Sequence, residues 1–299
     1  MSMSEEIARA LQLSVRYVRG VAGTASHRYK QFSIKKSDGL SMRLIEQPSK
    51  EVKLLQRWLV RRVFNQLPTH PAAHAYVKGR SIQTNALVHR KSRFISRLDL
   101  KNFFPSLRWM DISALLRRSP SLPDGTVLTD EDVQLICRIT CRDGRLTIGA
   151  PSSPTISNKL MFDLDTKLMS LAESYRVNYT RYADDLYFSA FEPNVLQAVC
   201  DRAERILADC DSPTLRINER KTYHASRKRR MVVTGIRITP DEALSVGRDL
   251  KRKVRVLAHK ASVNKIQLED LEWLRGMLAY IHSIEPEFSE KIQARYNIH

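Results

Sequence analysis

Hydrophobic positions along the chain switch between two periods. Ile7, Leu11 and Val15 recur at helical spacing, which predicts one short N-terminal helix over residues 4–20. Phe32 and Ile34, then Met42, Leu44 and Ile45, flank Lys35-Lys36-Ser37-Asp38-Gly39, a pattern that predicts a hairpin with a basic turn. Pro48-Ser49 opens a helix whose apolar face is Val52, Leu55, Leu59 and Val63, with Pro68 and Pro71 beyond its end. Phe94 to Leu100 reads as a strand, and residues 111–147 as helical and loop-like. Ser153-Pro154 is the expected cap and first residue of a helix reaching about Tyr175. A strand–turn–strand unit over 177–189 has Asp184-Asp185 at its centre, and Val195, Val199, Ala203 and Ile206 mark another amphipathic helix. Short strands follow near 231–238 and 243–246, then Lys- and Arg-rich helices whose core face is Leu271, Leu274, Leu278 and Ile281, with Trp273 and Arg275 on other faces. Strands alternating with helices, without repeats or low-complexity tracts, indicate an α+β fold of closely packed lobes.

Charge changes the picture. The 299 residues carry 50 Lys+Arg against 32 Asp+Glu, a net charge of +18. Such an excess predicts long-range attraction to a polyanion, nucleic acid or an acidic membrane surface. Insertion into a membrane is excluded, because no window near twenty residues is free of charge. The acidic start Met-Ser-Met-Ser-Glu-Glu is no signal peptide. Cys137, Cys141, Cys200 and Cys210 lack zinc-site spacing and read as buried reduced thiols, so a cytoplasmic location is expected.

Against this basic background two acidic features stand out. Asp184 and Asp185 sit between apolar runs, where mutual repulsion calls for a cation or water. Asp99 leaves a strand at Arg97-Leu98-Asp99-Leu100-Lys101-Asn102-Phe103-Phe104. If the two strands are neighbours, three hard oxygen donors converge, a set suited to Mg²⁺ and to phosphoryl transfer. A solvated turn is the competing account of an isolated Asp-Asp pair.

The surroundings of these carboxylates resemble the palm of reverse transcriptases. Tyr182-Ala183-Asp184-Asp185 is similar to the family's YxDD box, and Asp99 with Phe104 to its first catalytic motif. Gly149-Ala150-Pro151-Ser152-Ser153-Pro154 resembles the block that supports template and nucleotide, and Ile217-Asn218-Glu219-Arg220-Lys221-Thr222 the later lysine-bearing motif. They occur in the family's order across roughly residues 35–240. Asn85-Ala86-Leu87-Val88-His89 and Val233-Thr234-Gly235 resemble the NAxxH and VTG segments of bacterial retron reverse transcriptases.

The resemblance implies a right-hand polymerase with fingers, a ferredoxin-like palm and a small helical thumb. The expected divisions are residues 1–93 for N-terminal helix and fingers, 94–240 for the palm with a helical insertion at about 111–150, and 241–299 for the thumb. It implies RNA-templated DNA synthesis with two Mg²⁺ ions and dNTPs. Asp99, Asp184, Asp185 and the Leu100 carbonyl are the implied metal site. Lys36 or Lys35, Arg43, Phe104, Ala150 and Lys221 are the implied nucleotide site. Phe104 is either the gate against a ribose 2′-hydroxyl or a core aromatic, and Lys221 either donates a proton to pyrophosphate or neutralises phosphate charge. The family's Gln before the matching glycine is replaced by Ile148, which removes one side-chain hydrogen bond.

Asn85, His89, Val233, Thr234 and Gly235 are the implied handlers of cognate RNA, and Arg227, Arg229 and Arg230 supply nonspecific attraction. A structural His and a capping Asn are the competing account of the first pair. The retron resemblance further implies a structured non-coding RNA as primer and template, a branched RNA–DNA product, antiphage defence with a separate effector protein, and removal of template by host ribonuclease H, since the chain ends at His299 without room for a nuclease. The alternatives are a group II intron or diversity-generating reverse transcriptase and a non-catalytic RNA-binding scaffold. Retention of all three aspartates weighs against the scaffold.

Overall fold

The computed structural model describes residues 1–35, 41–119 and 121–298. Two helices, α1 (Met3–Leu11) and α2 (Val15–Gly23), open the chain in place of the single helix expected over 4–20. Gln12 takes a left-handed conformation (φ 54°) that ends α1, and the Ser14 hydroxyl caps α2 by accepting from the Tyr17 N–H at 3.1 Å. The hairpin of β1 (Tyr29–Lys35) and β2 (Met42–Pro48) follows as expected; its turn, with Lys36, lies outside the described residues. Ser49 caps α3 (Lys50–Arg62), which buries Val52, Leu55 and Leu59. Next come α4 (Ile82–His89), β3 (Phe94–Asp99), the single-turn α5 (Phe103–Ser106), α6 (Trp109–Arg118) and α7 (Asp130–Thr140).

The helix expected from Ser153 to about Tyr175 is two helices, α8 (Ser153–Leu160) and α9 (Phe162–Ser174), bent at Met161. Its cap is Ser152; the Ser153 hydroxyl instead accepts from the Thr147 N–H at 3.3 Å. Either side of the bend, Asn158 and Lys159 reach the segment at 67–75, and Asp165 reaches β4. The chain continues through β4 (Asn178–Tyr182), β5 (Asp185–Ala190), α10 (Val195–Ala208), β6 (Tyr223–Ser226), β7 (Met231–Val233), β8 (Ile236–Ile238) and β9 (Leu244–Ser245), and then α11 (Arg248–Ser262), α12 (Leu268–His282) and α13 (Pro286–Tyr296).

The central sheet runs β4-β5-β3-β6, antiparallel throughout, with helical connections after β3 and β5. That order and those crossovers are the ferredoxin-like arrangement expected of a palm. Alternation along the strands sends side chains to two dry faces. Leu98, Leu186 and Phe188 pack with Leu168 of α9 and Val199 and Ala203 of α10. Ile95 and Tyr187 pack on the other side with Ala86 of α4 and with Met231, Val233, Ile236 and Ile238 of the sheet β7-β8-β9. The last three helices enclose their own core of Val254, Leu257, Leu274, Leu278 and Ile281. Trp273, expected on another face, is half-buried against that core with the Lys253 ammonium 3.9 Å from its ring. Leu271 is only half-buried.

Candidate active site in the palm

The palm strands bring the three aspartates together. In the β3–β5 register Asp99 lies directly opposite Asp185, and Asp184 occupies the turn before β5. The turn is stitched to β3 where the Leu100 N–H donates to the Asp184 carbonyl at 2.8 Å, and the Asn218 N–H to the Asp99 carbonyl at 2.8 Å.

The turn is supported from beneath by residues the sequence reading did not single out. Arg181 and Asp165 form an ion pair at 2.7 Å with no exposed side-chain surface on either partner. Asp165 also accepts from the Tyr179 hydroxyl at 2.8 Å, and Arg181 donates to Asn158 Oδ1 at 3.0 Å and to the Ala183 carbonyl at 3.2 Å. Ala183, held through that carbonyl, adopts φ 56°, the left-handed geometry that reverses the chain between Tyr182 and Asp184. The segment at 72–76 runs along the β4 edge, with the Arg181 N–H donating to the Ala72 carbonyl and the His74 N–H to the Arg181 carbonyl, both at 2.8 Å.

Above the turn the groups are charged: Asp99 is buried, Asp184 and Asp185 are half-buried, and Lys221 is exposed. Asp99 accepts from Asn218 Nδ2 at 3.1 Å and from Lys221 Nζ at 3.4 Å. Asp185 accepts from the Tyr187 hydroxyl at 3.2 Å and lies 3.7 Å from Arg97 Nε. Burial pushes the Asp185 carboxyl up to about 6, with Arg97 pulling it back and the neighbouring aspartates pushing further. Burial likewise raises Asp184, and Asp99 adds to the rise, while Lys221 and Arg43 oppose it. Asp184 and Asp185 are therefore both left short of compensating positive charge.

That shortage, and the hard oxygen donors, fit a divalent cation. Among the described residues, however, no three His, Cys, Asp or Glu side chains are already drawn into a metal cage. Asp99 points its oxygens at Lys221 and Asn218. The fit is one of donor chemistry and charge.

Phe104 is half-buried beside the site, its ring centroid 5.3 Å from Phe103 and 6.4 Å from Tyr76. Tyr76, also absent from the sequence reading, takes φ 61° and stands largely exposed. Burial of its hydroxyl raises its pKa, and the Asp184 charge adds to that rise. Arg43, opposite Ile34 on the hairpin, is exposed. The base of the hairpin is clamped: Glu46 is buried against Arg142, with Arg145 3.6 Å away. The Glu46 N–H donates to the Ile148 carbonyl at 2.8 Å, so Ile148 contributes its backbone here. At Gly149, φ is 117° and a Cβ would lie 3.0 Å from the Glu46 carbonyl, which requires glycine. Ala150 is buried, so its methyl is not available to a nucleotide.

Several expected RNA contacts are corrected. Asn85 and His89 have no exposed surface and present nothing to solvent. The His89 ring is bonded at 2.7 Å to both the Ser189 and Thr180 hydroxyls, and burial pushes its pKa down to about 3. Arg227 is a clamp: it donates to the Arg90 and Ser92 carbonyls at 2.8 Å and pairs with Glu242 at 3.1 Å. Val233 is buried, whereas Gly235, Arg229 and Arg230 are exposed. All four cysteines are free thiols; Cys210 is only half-buried. No helix among the described residues is long and apolar enough to cross a membrane.

Comparison with known proteins agrees with this geometry. The family described as "Reverse transcriptase (RNA-dependent DNA polymerase)" matches residues 34–238. The Retron Ec73 reverse transcriptase of Escherichia coli is 34% identical over 275 residues, covering 89% of this chain and 86% of that protein. The Retron Mx162 reverse transcriptase of Myxococcus xanthus is 36% identical over 316 residues, covering 96% of this chain and 64% of that protein. Among solved structures, a Candida albicans telomerase in complex with a fragment of telomeric RNA shares the fold at 13% identity. Its TM-score is 0.51, over 88% of this chain and 56% of that one. The chain belongs to the reverse transcriptase family, among the bacterial retron enzymes, and is an RNA-directed DNA polymerase.

Proposed function

We propose that this polymerase copies a cognate structured non-coding RNA into single-stranded DNA that stays joined to the RNA as a branched product, in antiphage defence beside a separate effector protein. Host ribonuclease H would remove the copied template. The observation that carries the catalytic part is the convergence of Asp99, Asp184 and Asp185 at one strand end under the Lys221 and Arg43 charges.

In this reading Asp99 and Asp184, with the Leu100 carbonyl, would hold Mg²⁺, and Asp185 completes the charge. Bound in a pair, such ions stabilise the attacking and leaving oxygens of a phosphoryl transfer. The chain's own residues bind and orient. Arg43 grips triphosphate oxygens, since its guanidinium offers paired donors. Lys221 neutralises charge as pyrophosphate leaves, and Phe104 closes the space a 2′-hydroxyl would need. The Ala150 contribution is limited to backbone. The divisions at 1–93, 94–240 and 241–299 are kept as proposed fingers, palm and thumb. Exposed Arg229 and Arg230 attract RNA phosphates without regard to sequence. The VTG turn acts on cognate RNA through the exposed Gly235, with Asn85 and His89 supporting it from inside.

The test is primer extension by purified protein on its co-transcribed RNA, with Mg²⁺ and dNTPs. Wild type is expected to yield DNA that shortens when treated with ribonuclease. Asp184→Asn is expected to lose extension by at least about a thousandfold while binding RNA normally. Extension by Asp184→Asn at the wild-type rate would overturn the site assignment. DNA synthesis on artificial primer–templates with none on the RNA would overturn the retron reading.

A further inference from the structure

We propose that Tyr187 is a positioning residue of the polymerase site, tying the Val233–Gly235 turn to the Asp185 carboxylate. The proposal rests on the reading of Asp185 as part of that site. Tyr187 follows Asp185 by two positions on β5, so strand alternation puts both side chains on one face. Its ring is buried, and its hydroxyl meets the Thr234 N–H at 3.1 Å, Asp185 Oδ2 at 3.2 Å and the Arg97 guanidinium, which like the amide can only donate. A phenol has a single proton, and the Thr234 amide can only donate. The proton is therefore directed at the carboxylate, which makes a charge-assisted bond of fixed direction. Arg97, opposite Tyr187 in the register, adds positive charge 3.7 Å from Asp185 without reaching hydrogen-bond distance, so the orientation of the carboxylate falls to the Tyr187 hydroxyl.

The far end of the link is anchored at a cost. Thr234 is β-branched yet adopts φ 47°, a conformation such residues rarely take. Its hydroxyl donates to the Ile82 carbonyl at 3.2 Å, in the first turn of α4, the helix that carries Asn85 and His89. The His89 ring lies 5.9 Å from that of Tyr187. A strained residue held by two specific bonds, one into α4 and one into Tyr187, is a connection the surrounding packing maintains. The two retron segments thus form one unit; His89 joins it to Thr180 and Ser189 farther along the palm strands, and the Tyr187 hydroxyl is its link to the Asp185 carboxylate. Displacing the turn would rotate Asp185.

Tyr187→Phe keeps the ring and removes the link. The expected result is a kcat lowered about tenfold, the worth of one charge-assisted hydrogen bond, with dNTP KM and RNA affinity within about twofold. Mn²⁺ binding to the substrate-free protein, followed by electron paramagnetic resonance, should weaken several-fold. In the Asp185→Asn background the same change should cost nothing further, because Tyr187 acts through Asp185. Thr234→Gly, which keeps the amide and relieves the strained φ, should give a smaller kcat loss of about threefold, with Mn²⁺ affinity moving in the same direction. Unchanged kcat and Mn²⁺ affinity in folded Tyr187→Phe would overturn the proposal, as would an undiminished extra loss in Asp185→Asn. If Tyr187→Phe does not fold, unchanged kcat and Mn²⁺ affinity in Thr234→Gly overturns it. Wild-type extension by Asp185→Asn alone would instead remove the reading of Asp185 on which it rests.

Discussion

The Tyr182–Asp185 turn is held by two regions of opposite character. Beneath it, Arg181, Asp165, Tyr179 and Asn158 form a closed network without access to water. Above it stand the exposed cations Lys221 and Arg43 and the half-buried Arg97, with Lys221 and Arg97 3.4 and 3.7 Å from their carboxylates. A buried ion pair gains little over an apolar pair, but breaking one leaves a stranded charge. Exposed pairs contribute little to stability and remain free to exchange partners. The lower region therefore fixes where the turn is, and the upper region is left to meet phosphate.

Breaking the lower region should give the largest effect. Asp165→Asn strands the Arg181 guanidinium and is expected to cost about 3–5 kcal/mol, read as a lower urea midpoint, with activity lost because the turn moves. A loss below about 1 kcal/mol would mean that water enters the network.

The α4 side of the palm is also dry, and there the comparison can be sharpened by pH. Burial pushes His89 down to about 3 and His74 down to about 4, whereas both titrate near 6.5 when unfolded. Below that pH the unfolded chain binds protons that the folded chain refuses, so stability falls as pH falls. Between pH 6.5 and about pH 5 each histidine should remove roughly 2 kcal/mol. His89→Gln should flatten the pH dependence of the unfolding midpoint; an unaltered slope would assign the acid sensitivity elsewhere.

Upper-region changes should leave stability alone. Lys221→Ala is expected to lower extension about tenfold with an unfolding midpoint within about 0.5 kcal/mol of wild type. Phe104→Ala is expected to admit ribonucleotides about tenfold more readily, in competition assays with paired dNTP and rNTP. Unchanged discrimination in a folded, active Phe104→Ala would make that ring a core residue only.

The carboxylates were legible in the sequence because the order of the surrounding motifs is specific; the acidic pair by itself reads equally as a solvated turn. The lower network was legible in principle. Arg181 shares a face with Tyr179 on a buried strand, and a cation there demands a carboxylate, but nothing local points to Asp165 sixteen positions earlier on a helix. Tyr76 lies in a segment without periodicity, positioned by backbone bonds to Arg181. The RNA reading of Asn85 and His89 went astray for a related reason. A shared helix face was correctly inferred from their spacing, but periodicity says nothing about whether that face meets water or β4. In both helices that proved shorter than expected, a residue at the junction ended the run: left-handed Gln12 in one, the bend at Met161 in the other.

The hairpin β1–β2 behaves mechanically as a cantilever. Its fixed end is the Glu46 clamp and the close approach at Gly149, and its outer strands carry Phe32, Ile34, Met42 and Leu44 with much of their surface in water. A beam held at one end deflects most at the other and delivers its bending moment to the support. A load applied near Arg43 is accordingly felt at Glu46, and through the Ile148 carbonyl it enters the loop that begins α8. The stiffness of that support therefore governs how a load on the described strands reaches the loop before α8.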